Sequence, residues 1–281
     1  MTVLEKGNIT IHTENIFPII KKSLYTDHEI FLRELISNSV DAISKLKMAS
    51  LAGEVEGDLP EPEITIAVDK EKKTLSVTDN GIGMTAEEVK KYINQVAFSS
   101  AEDFISKYKK DANDLIGHFG LGFYSAFMVA SKVEIDTLSY KPGAEAVHWS
   151  CDGSPAFELT SSDRTTVGTT VTLTLLDEEA EYAEPARIKQ LIKTYCDFVP
   201  VTIKMDGEQI NKKEAIWKKS PRDLTDEDYL AFYRYLYPFQ EDPLLWVHLK
   251  TDYPFLLDGI LYFPKLKPDV DFSKGQIKLF C

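Results

Sequence analysis

From Ile30 to Met48 the chain has neither glycine nor proline, and Phe31, Leu32, Leu35, Ile36, Ile43 and Leu46 recur at helical spacing along one side. A segment of this kind must bury that side against another layer of structure. Asp27 is the expected N-cap. The same helix carries Glu34, Asn38, Asp41 and Lys45 on the opposite side, at steps of four, three and four residues. Taken alone, that polar stripe is first of all a solvated face with an Asp41–Lys45 pair. Asn38, an indifferent helix former, fits that account poorly.

Segments C-terminal to this helix supply candidates for the second layer. Ile64–Val68 and Thr74–Thr78 alternate around a polar turn, which predicts a hairpin. Further strands are expected over 132–138, 146–150, 169–176 and 201–205. Helices are expected over 86–94, 101–110, 123–129 and 184–195. A charged stretch over 212–224 marks a junction. Beyond it, an aromatic-rich helix over 226–237 and strands over 246–250 and 259–263 read as a second unit.

Three glycine-bearing segments adjoin these elements. Asp79-Asn-Gly-Ile-Gly-Met84 directly follows the second hairpin strand. Its glycines let the backbone come close to a flat ligand while the carboxylate accepts hydrogen bonds at the strand end. A tight Asp-Asn-Gly turn is the simpler account, yet it leaves Gly83 unexplained. Gly117-His-Phe-Gly120-Leu-Gly122 opens an apolar helix, where free amides and the helix dipole favour an anion. It is neither the dinucleotide fingerprint nor a P-loop, so a flexible loop stays open as an explanation. Gly168-Thr169 enters a strand and offers a hydroxyl, although β-propensity alone accounts for the threonine.

Composition removes several alternatives. The 281 residues are 43% hydrophobic and 27% charged, which excludes a disordered or collagen-like chain and fits one large domain or two. The net charge of −13 opposes nucleic-acid binding, though it does not oppose one phosphate group held locally. Three widely spaced cysteines outside any C-x-x-C pattern indicate neither a disulfide framework nor a thiolate metal site. With no leader pattern, and no apolar run longer than Phe123–Ala130, a cytoplasmic protein without a membrane span is expected.

In their order and detail, Glu34-Leu-Ile-Ser-Asn38-Ser-Val-Asp41-Ala42, the Asp79–Met84 segment, Ile116-Gly-His-Phe-Gly-Leu-Gly-Phe-Tyr-Ser-Ala-Phe-Met-Val-Ala130 and Gly168-Thr169 closely resemble the heat-shock protein 90 chaperone family. The resemblance extends through Ala215-Ile-Trp217 to the end of the chain. It implies an α+β fold, a two-layer α/β sandwich with a mixed, mainly antiparallel sheet. That ATPase fold is shared with DNA gyrase B, MutL and histidine kinases. The implied division is an ATP-binding domain over 1–213, with a lid over about 94–122, and the start of an α/β middle domain over 214–281.

The resemblance also implies site roles. Glu34 is the general base for the attacking water, with Arg33 modulating it, and Asn38 is a Mg²⁺ ligand. Asp79 accepts the adenine amino group's hydrogen bond, supported through water by Gly83 and Thr169, while Met84 lines the adenine pocket. Asp41 and Lys45 lie beside the nucleotide, and Gly120, Gly122 and Phe123 against the phosphates. ATP and Mg²⁺ are the implied cofactors; ADP, client proteins and co-chaperones are the implied partners. The full-length form is expected to be a homodimer active in stress response and protein folding, and these 281 residues a monomer with weak or absent hydrolysis. That weakness follows because the family's γ-phosphate arginine lies beyond Cys281.

Where many members read L-G-T-I-A-K-S-G, this chain has Ile93-Asn-Gln-Val-Ala-Phe-Ser-Ser100. Phe98 thus stands in place of a lysine, and altered lid closure is expected. Two other functions compete. One is a non-catalytic docking module gated by nucleotide; the other is a different ATPase of the same fold. No phosphoacceptor-histidine helix or basic DNA track favours the latter.

Overall fold

The computed structural model describes residues 27–55, 57–95, 122–251 and 257–265. The chain divides into two compact units, Met1–Asn211 and Lys212–Cys281. In the first, helix α1 spans Ile30–Leu51 and buries Phe31, Leu32, Leu35, Ile36, Val40, Ile43, Leu46 and Ala49, the expected apolar side and its continuation. Its N-cap is Glu29, without a side-chain cap. Asp27 is not that cap. It lies two residues too early, accepts the Glu29 N–H at 3.1 Å, and so closes the turn that precedes the helix.

The expected hairpin forms from β1 (Glu63–Asp69) and β2 (Thr74–Asp79). Helix α2 (Ala86–Tyr92) follows, started by a reciprocal Thr85–Glu88 capping box. Then come β3 (Ala130–Leu138), β4 (Val147–Cys151), β5 (Glu158–Ser161), β6 (Gly168–Leu175), helix α3 (Pro185–Tyr195), β7 (Thr202–Met205) and β8 (Glu208–Gln209). Among the described residues the strands make one eight-stranded sheet in the order β5-β4-β3-β6-β2-β1-β7-β8. Only the β1–β7 pair is parallel. This is the mixed, mainly antiparallel sheet of the expected α+β sandwich.

Some elements differ from expectation, the short strand β8 among them. The apolar segment starting at Phe123 is a 3₁₀ helix, Gly122–Met128, rather than an α-helix. β3 begins at Ala130, so little chain is left for i→i+4 bonding, and Val129 N–H donates to Ala126 O in the three-residue pattern. Strand β5 was not expected at all. It is a short, mostly exposed edge strand whose Glu-Leu-Thr-Ser sequence has no apolar alternation. A second 3₁₀ segment, Asp177–Ala183, joins β6 to α3. The expected helix over 101–110 and the chain-end strand lie outside the described residues.

Strand register determines how the core ends. On the helix-covered face, Val68, Leu75, Leu173 and Val133 align across β1, β2, β6 and β3, and Ile66, Val77, Val171 and Ile135 form the next row. The row after that is Ile64, Asp79, Thr169 and Thr137. Two apolar rows therefore give way to a polar one at the centre of the sheet.

The second unit is built from α4 (Asp226–Leu236), capped by Thr225 and Asp228, and the antiparallel pair β9 (Leu245–Thr251) and β10 (Leu257–Phe263). Tyr229 stacks on Trp246 at 5.5 Å, and the Tyr262 hydroxyl donates to Tyr229 O at 2.9 Å, fixing the helix on the hairpin.

Candidate functional site

The polar row is the core of the site. Asp79 closes β2 with a side chain only 5% exposed, and its Oδ1 accepts the Gly81 N–H at 2.8 Å. Burial pushes its carboxyl up to about 7. The Gly81 amide, the Arg164 charge, the Thr169 amide and the Ser39 hydroxyl all act in the opposite sense. Beside it, the Thr169 and Thr137 hydroxyls lie 2.9 Å apart, and Thr137 Oγ1 also accepts the Met84 N–H at 2.9 Å. A buried carboxylate flanked by hydroxyls suits a ligand that offers hydrogen-bond donors.

The glycine loop is wedged between helix and sheet. A Cβ on Gly81 would lie 2.5 Å from the Ala42 carbonyl carbon, and the next residue's amide, Ile82 N–H, donates to Ala42 O at 3.0 Å. Gly83 has φ +62°, and a Cβ there would lie 1.9 Å from Leu138 O. Both glycines are therefore required by close backbone approach, which a simple Asp-Asn-Gly turn does not need. Asn80 secures the other side of the loop by accepting the Glu63 N–H at 3.0 Å and donating to Glu61 O at 2.7 Å.

Two helical turns before Ala42, Glu34 marks a second polar centre. Eight residues at 1.5 Å each place it about 12 Å from the loop contact along the helix axis. Arg33 Nη2 donates to Glu34 Oε1 at 2.7 Å. A Cβ on Gly122 would lie 2.5 Å from Glu34 Oε2, so the carboxylate rests against bare backbone where the 3₁₀ helix starts. Between these two centres the stripe is not the solvated face that the sequence alone favours. Asp41 is buried, and burial holds the Lys45 ammonium below its ordinary value, with Asp41 and Glu88 pulling it the other way. Asn38 alone is exposed, at one turn from Glu34.

Residues 25–155 match the family model described as histidine kinase-, DNA gyrase B-, and HSP90-like ATPase, and residues 201–281 match the model described as Hsp90 protein. "Chaperone protein htpG" of Bacteroides fragilis (strain 638R) is 53% identical over 293 residues, covering 99% of this chain. The chain belongs to the Hsp90 family. "Chaperone protein HtpG" of Porphyromonas gingivalis (strain ATCC BAA-308 / W83) is 49% identical over 99% of the chain. The protein of that name from Desulfitobacterium hafniense (strain Y51) is 38% identical over 100%. The chain spans less than half the length of these relatives, 43% of the first two and 47% of the third.

With the Hsp90 family established, the residues expected from sequence sort into three groups. Asp79, Gly83, Met84 and Thr169 converge on the polar row and its loop. Arg33, Glu34 and Gly122 converge on the second centre, and Asn38, Asp41 and Lys45 lie on the helix that carries it. Phe123 is half-buried, and its ring packs edge-on against Tyr124, Phe127 and Trp149. Its backbone is thus what it offers the site. Gly120, Phe98 and most of the expected lid lie outside the described residues. Asn94, at the start of the expected lid, accepts the Trp149 indole N–H at 2.9 Å.

Sequence reasoning missed Thr137, Ser39 and Arg164. Thr137 was detectable, because it occupies the inward position after Val133 and Ile135, where the alternation calls for an apolar residue. Ser39, whose hydroxyl donates to Leu35 O at 3.0 Å, and Arg164, which reaches the site from a loop, left no periodic signal.

Proposed function

We propose that this chain is the nucleotide-binding portion of an ATP-dependent molecular chaperone. The observation that carries the proposal is the buried Asp79–Thr169–Thr137 row with its glycine loop, whose contact with Ala42 lies about 12 Å along the helix from Glu34, a span suited to an extended nucleoside triphosphate. In this reading residues 1–213 form the ATP-binding domain, with a lid over about 94–122, and 214–281 begin a middle domain. The compact division after Asn211 supports that boundary.

Asp79 accepts a hydrogen bond from the adenine amino group. Gly83 and Thr169 support that contact through water, and Met84 lines the pocket. The close packing of Gly81 and Gly83 supports this role, because it leaves the loop no side chain to fill the base site. Asp41 and Lys45 flank the nucleotide. The amides of Gly120, Gly122 and Phe123 face the phosphates; for Gly122 and Phe123 the start of the 3₁₀ helix, which presents N–H groups, supports that role. Asn38, an exposed carboxamide beside the Glu34 turn, fits as the protein's oxygen ligand to Mg²⁺. Bound there, Mg²⁺ supplies charge neutralisation to the phosphate oxygens.

Glu34 takes the proton from the attacking water while the water oxygen bonds to the γ-phosphorus and the bond to the bridging oxygen breaks. Arg33 fixes the direction of that carboxylate. Because Arg33 engages Glu34 directly, a second reading also has support: a nucleotide-gated docking module in which hydrolysis is dormant. The longer protein, cytoplasmic and homodimeric, then couples ATP and ADP exchange to client folding, stress response and co-chaperone binding.

Calorimetric titration of the chain with ATP, with and without Mg²⁺, followed by a single-turnover assay, tests these proposals. Binding that survives Glu34→Ala while hydrolysis disappears supports the chaperone ATPase. Binding with no hydrolysis in either protein supports the dormant module, and no binding at all refutes both.

A further inference from the structure

Arg164 is the group at this site that no established role explains. It sits in the loop between β5 and β6, on the side of the sheet away from α1. Its guanidinium makes three directed contacts: Nε donates to Thr166 O at 2.8 Å, Nη1 to Thr170 Oγ1 at 2.7 Å, and Nη2 to Asp79 O at 3.4 Å. Thr170 Oγ1 in turn lies 2.9 Å from Thr78 Oγ1, so one fork ties together the strand residues adjacent to Asp79 and Thr169 on the opposite face. Ser162 holds the loop in place, accepting the Arg164 N–H at 3.3 Å and donating to Asp136 Oδ1 at 2.6 Å.

Gly168 makes this approach possible. Its φ is +124°, and a Cβ there would lie 2.2 Å from Asp79 O and 3.1 Å from Arg164 Nη2. A side chain at position 168 would therefore separate the guanidinium from the strand end it holds.

We propose that Arg164 is a positioning residue for the nucleobase site, acting through the sheet from its far face. It locks the ends of β2 and β6 that aim Asp79 and Thr169, and it places a fixed positive charge behind the Asp79 carboxylate. The inference rests on the reading of Asp79 as the base acceptor. Two properties of arginine matter here: its fork bonds several acceptors at fixed angles, and its charge persists at any physiological pH. The groups facing Asp79 are the Ser39 hydroxyl from α1, the Gly81 amide from the loop, the Thr169 amide from β6 and Arg164. Of these Arg164 alone carries charge, and its own shift is downward through burial, opposed by Asp79 and Asp136.

The consequence is a pH-dependent affinity governed from outside the pocket. Asp79 accepts from the base amino group most strongly when ionised, because protonation turns one of its two acceptor oxygens into a donor. Removing the positive charge behind it moves the rise in affinity to higher pH, and each unit of that movement costs about tenfold in the ionised fraction at pH values well below the original midpoint.

Calorimetry with ADP at pH 6, 7, 8 and 9 reads this directly in the full 281-residue chain. For a one-unit rise in midpoint, Arg164→Met is expected to bind about fivefold more weakly at pH 7 and to recover most of that loss by pH 9. Arg164→Lys, which keeps the charge without the fork, is expected to retain the wild-type pH midpoint with a smaller, pH-independent loss. In the Asp79→Asn background, Arg164→Met is expected to cost little more, because its charge effect passes through that carboxylate. Should Arg164→Met fail to fold, Thr170→Val replaces it in the test. It removes one anchor and leaves the charge, and is expected to lower affinity at every pH without moving the midpoint.

Wild-type affinity and midpoint in Arg164→Met, or in Thr170→Val if that variant is the one that folds, overturn the inference. So does an equal loss from Arg164→Met at every pH, or a full further loss on top of Asp79→Asn. Unchanged ADP binding in Asp79→Asn alone is a different failure, because it overturns the base-acceptor reading itself.

Discussion

Replacing Asp79 with asparagine is expected to stabilise the protein while weakening its hold on nucleotide. The carboxylate lies where two apolar rows of the core end, and burial lifts it from the ordinary carboxylate range to about 7. Between about pH 4 and 7 the native state therefore holds a proton that the unfolded chain has released. Wild-type stability falls as pH rises through that window, and the full penalty, about 4 kcal/mol, is present above it. Asparagine keeps the acceptor for Gly81 N–H and does not titrate. The Asn variant should thus gain on the wild type by about 3 kcal/mol between pH 4.5 and 8, or about 1.5 M in urea midpoint. Urea unfolding followed through Trp149, with Trp217 and Trp246 changed to phenylalanine, measures the gap in the first unit alone. A gap equal at pH 4.5 and 8 would refute the argument from desolvation. Adding ADP supplies the second half of the test. At 100 times the wild-type dissociation constant it should return about 2.7 kcal/mol to the wild type and clearly less to the variant.

Other substitutions probe the same geometry. Gly122→Ala places a Cβ 2.5 Å from Glu34 Oε2, so Glu34 must swing away. ADP affinity should hold within about twofold while single-turnover hydrolysis falls by about 100-fold, as expected when a reacting group is misplaced by about 1 Å. Gly83→Ala meets both a positive φ and a backbone oxygen at 1.9 Å. A loss of more than about 2 kcal/mol is expected in thermal unfolding. Thr137→Val removes the acceptor of the Met84 N–H, which should cost about 1–3 kcal/mol and weaken ADP binding, both measurable in one thermal-shift titration.

The sequence disclosed local periodicity well and cross-strand geometry poorly. The apolar side of α1, the β1–β2 hairpin and the inward residues of β3 and β6 were all legible, because each is a repeat within one segment. The buried Asp79–Thr169–Thr137 row was not, since it comes into being only when three strands separated in sequence take a common register. Asp41 shows the same limit. Its i,i+4 partner Lys45 suggested a solvated pair, whereas Asp41 is buried and Lys45 is largely desolvated, with the charge of Glu88 from α2, distant in sequence, acting on it as well. Short 3₁₀ segments and the edge strand β5 carry too little repetition to announce themselves. Motif order did better than any single motif, because each glycine pair has an ordinary turn as an alternative and the whole series does not.

The order in which the strands join the sheet has a further consequence, for synthesis. The pocket row draws on residues 79, 137 and 169, and β1 acquires its outer neighbour only when residues 202–205 arrive to pair in parallel. At ribosomal speeds of about 5–20 residues per second, roughly 5–18 seconds separate the appearance of Asp79 from that of Thr169. Nucleotide therefore has nothing to bind on the early chain and cannot guide its folding. During that interval α1 exposes its apolar side and β1–β2 lack both flanking strands. A nascent chain in that condition presents the unpaired edges and bare apolar surface that make partly folded proteins prone to aggregate.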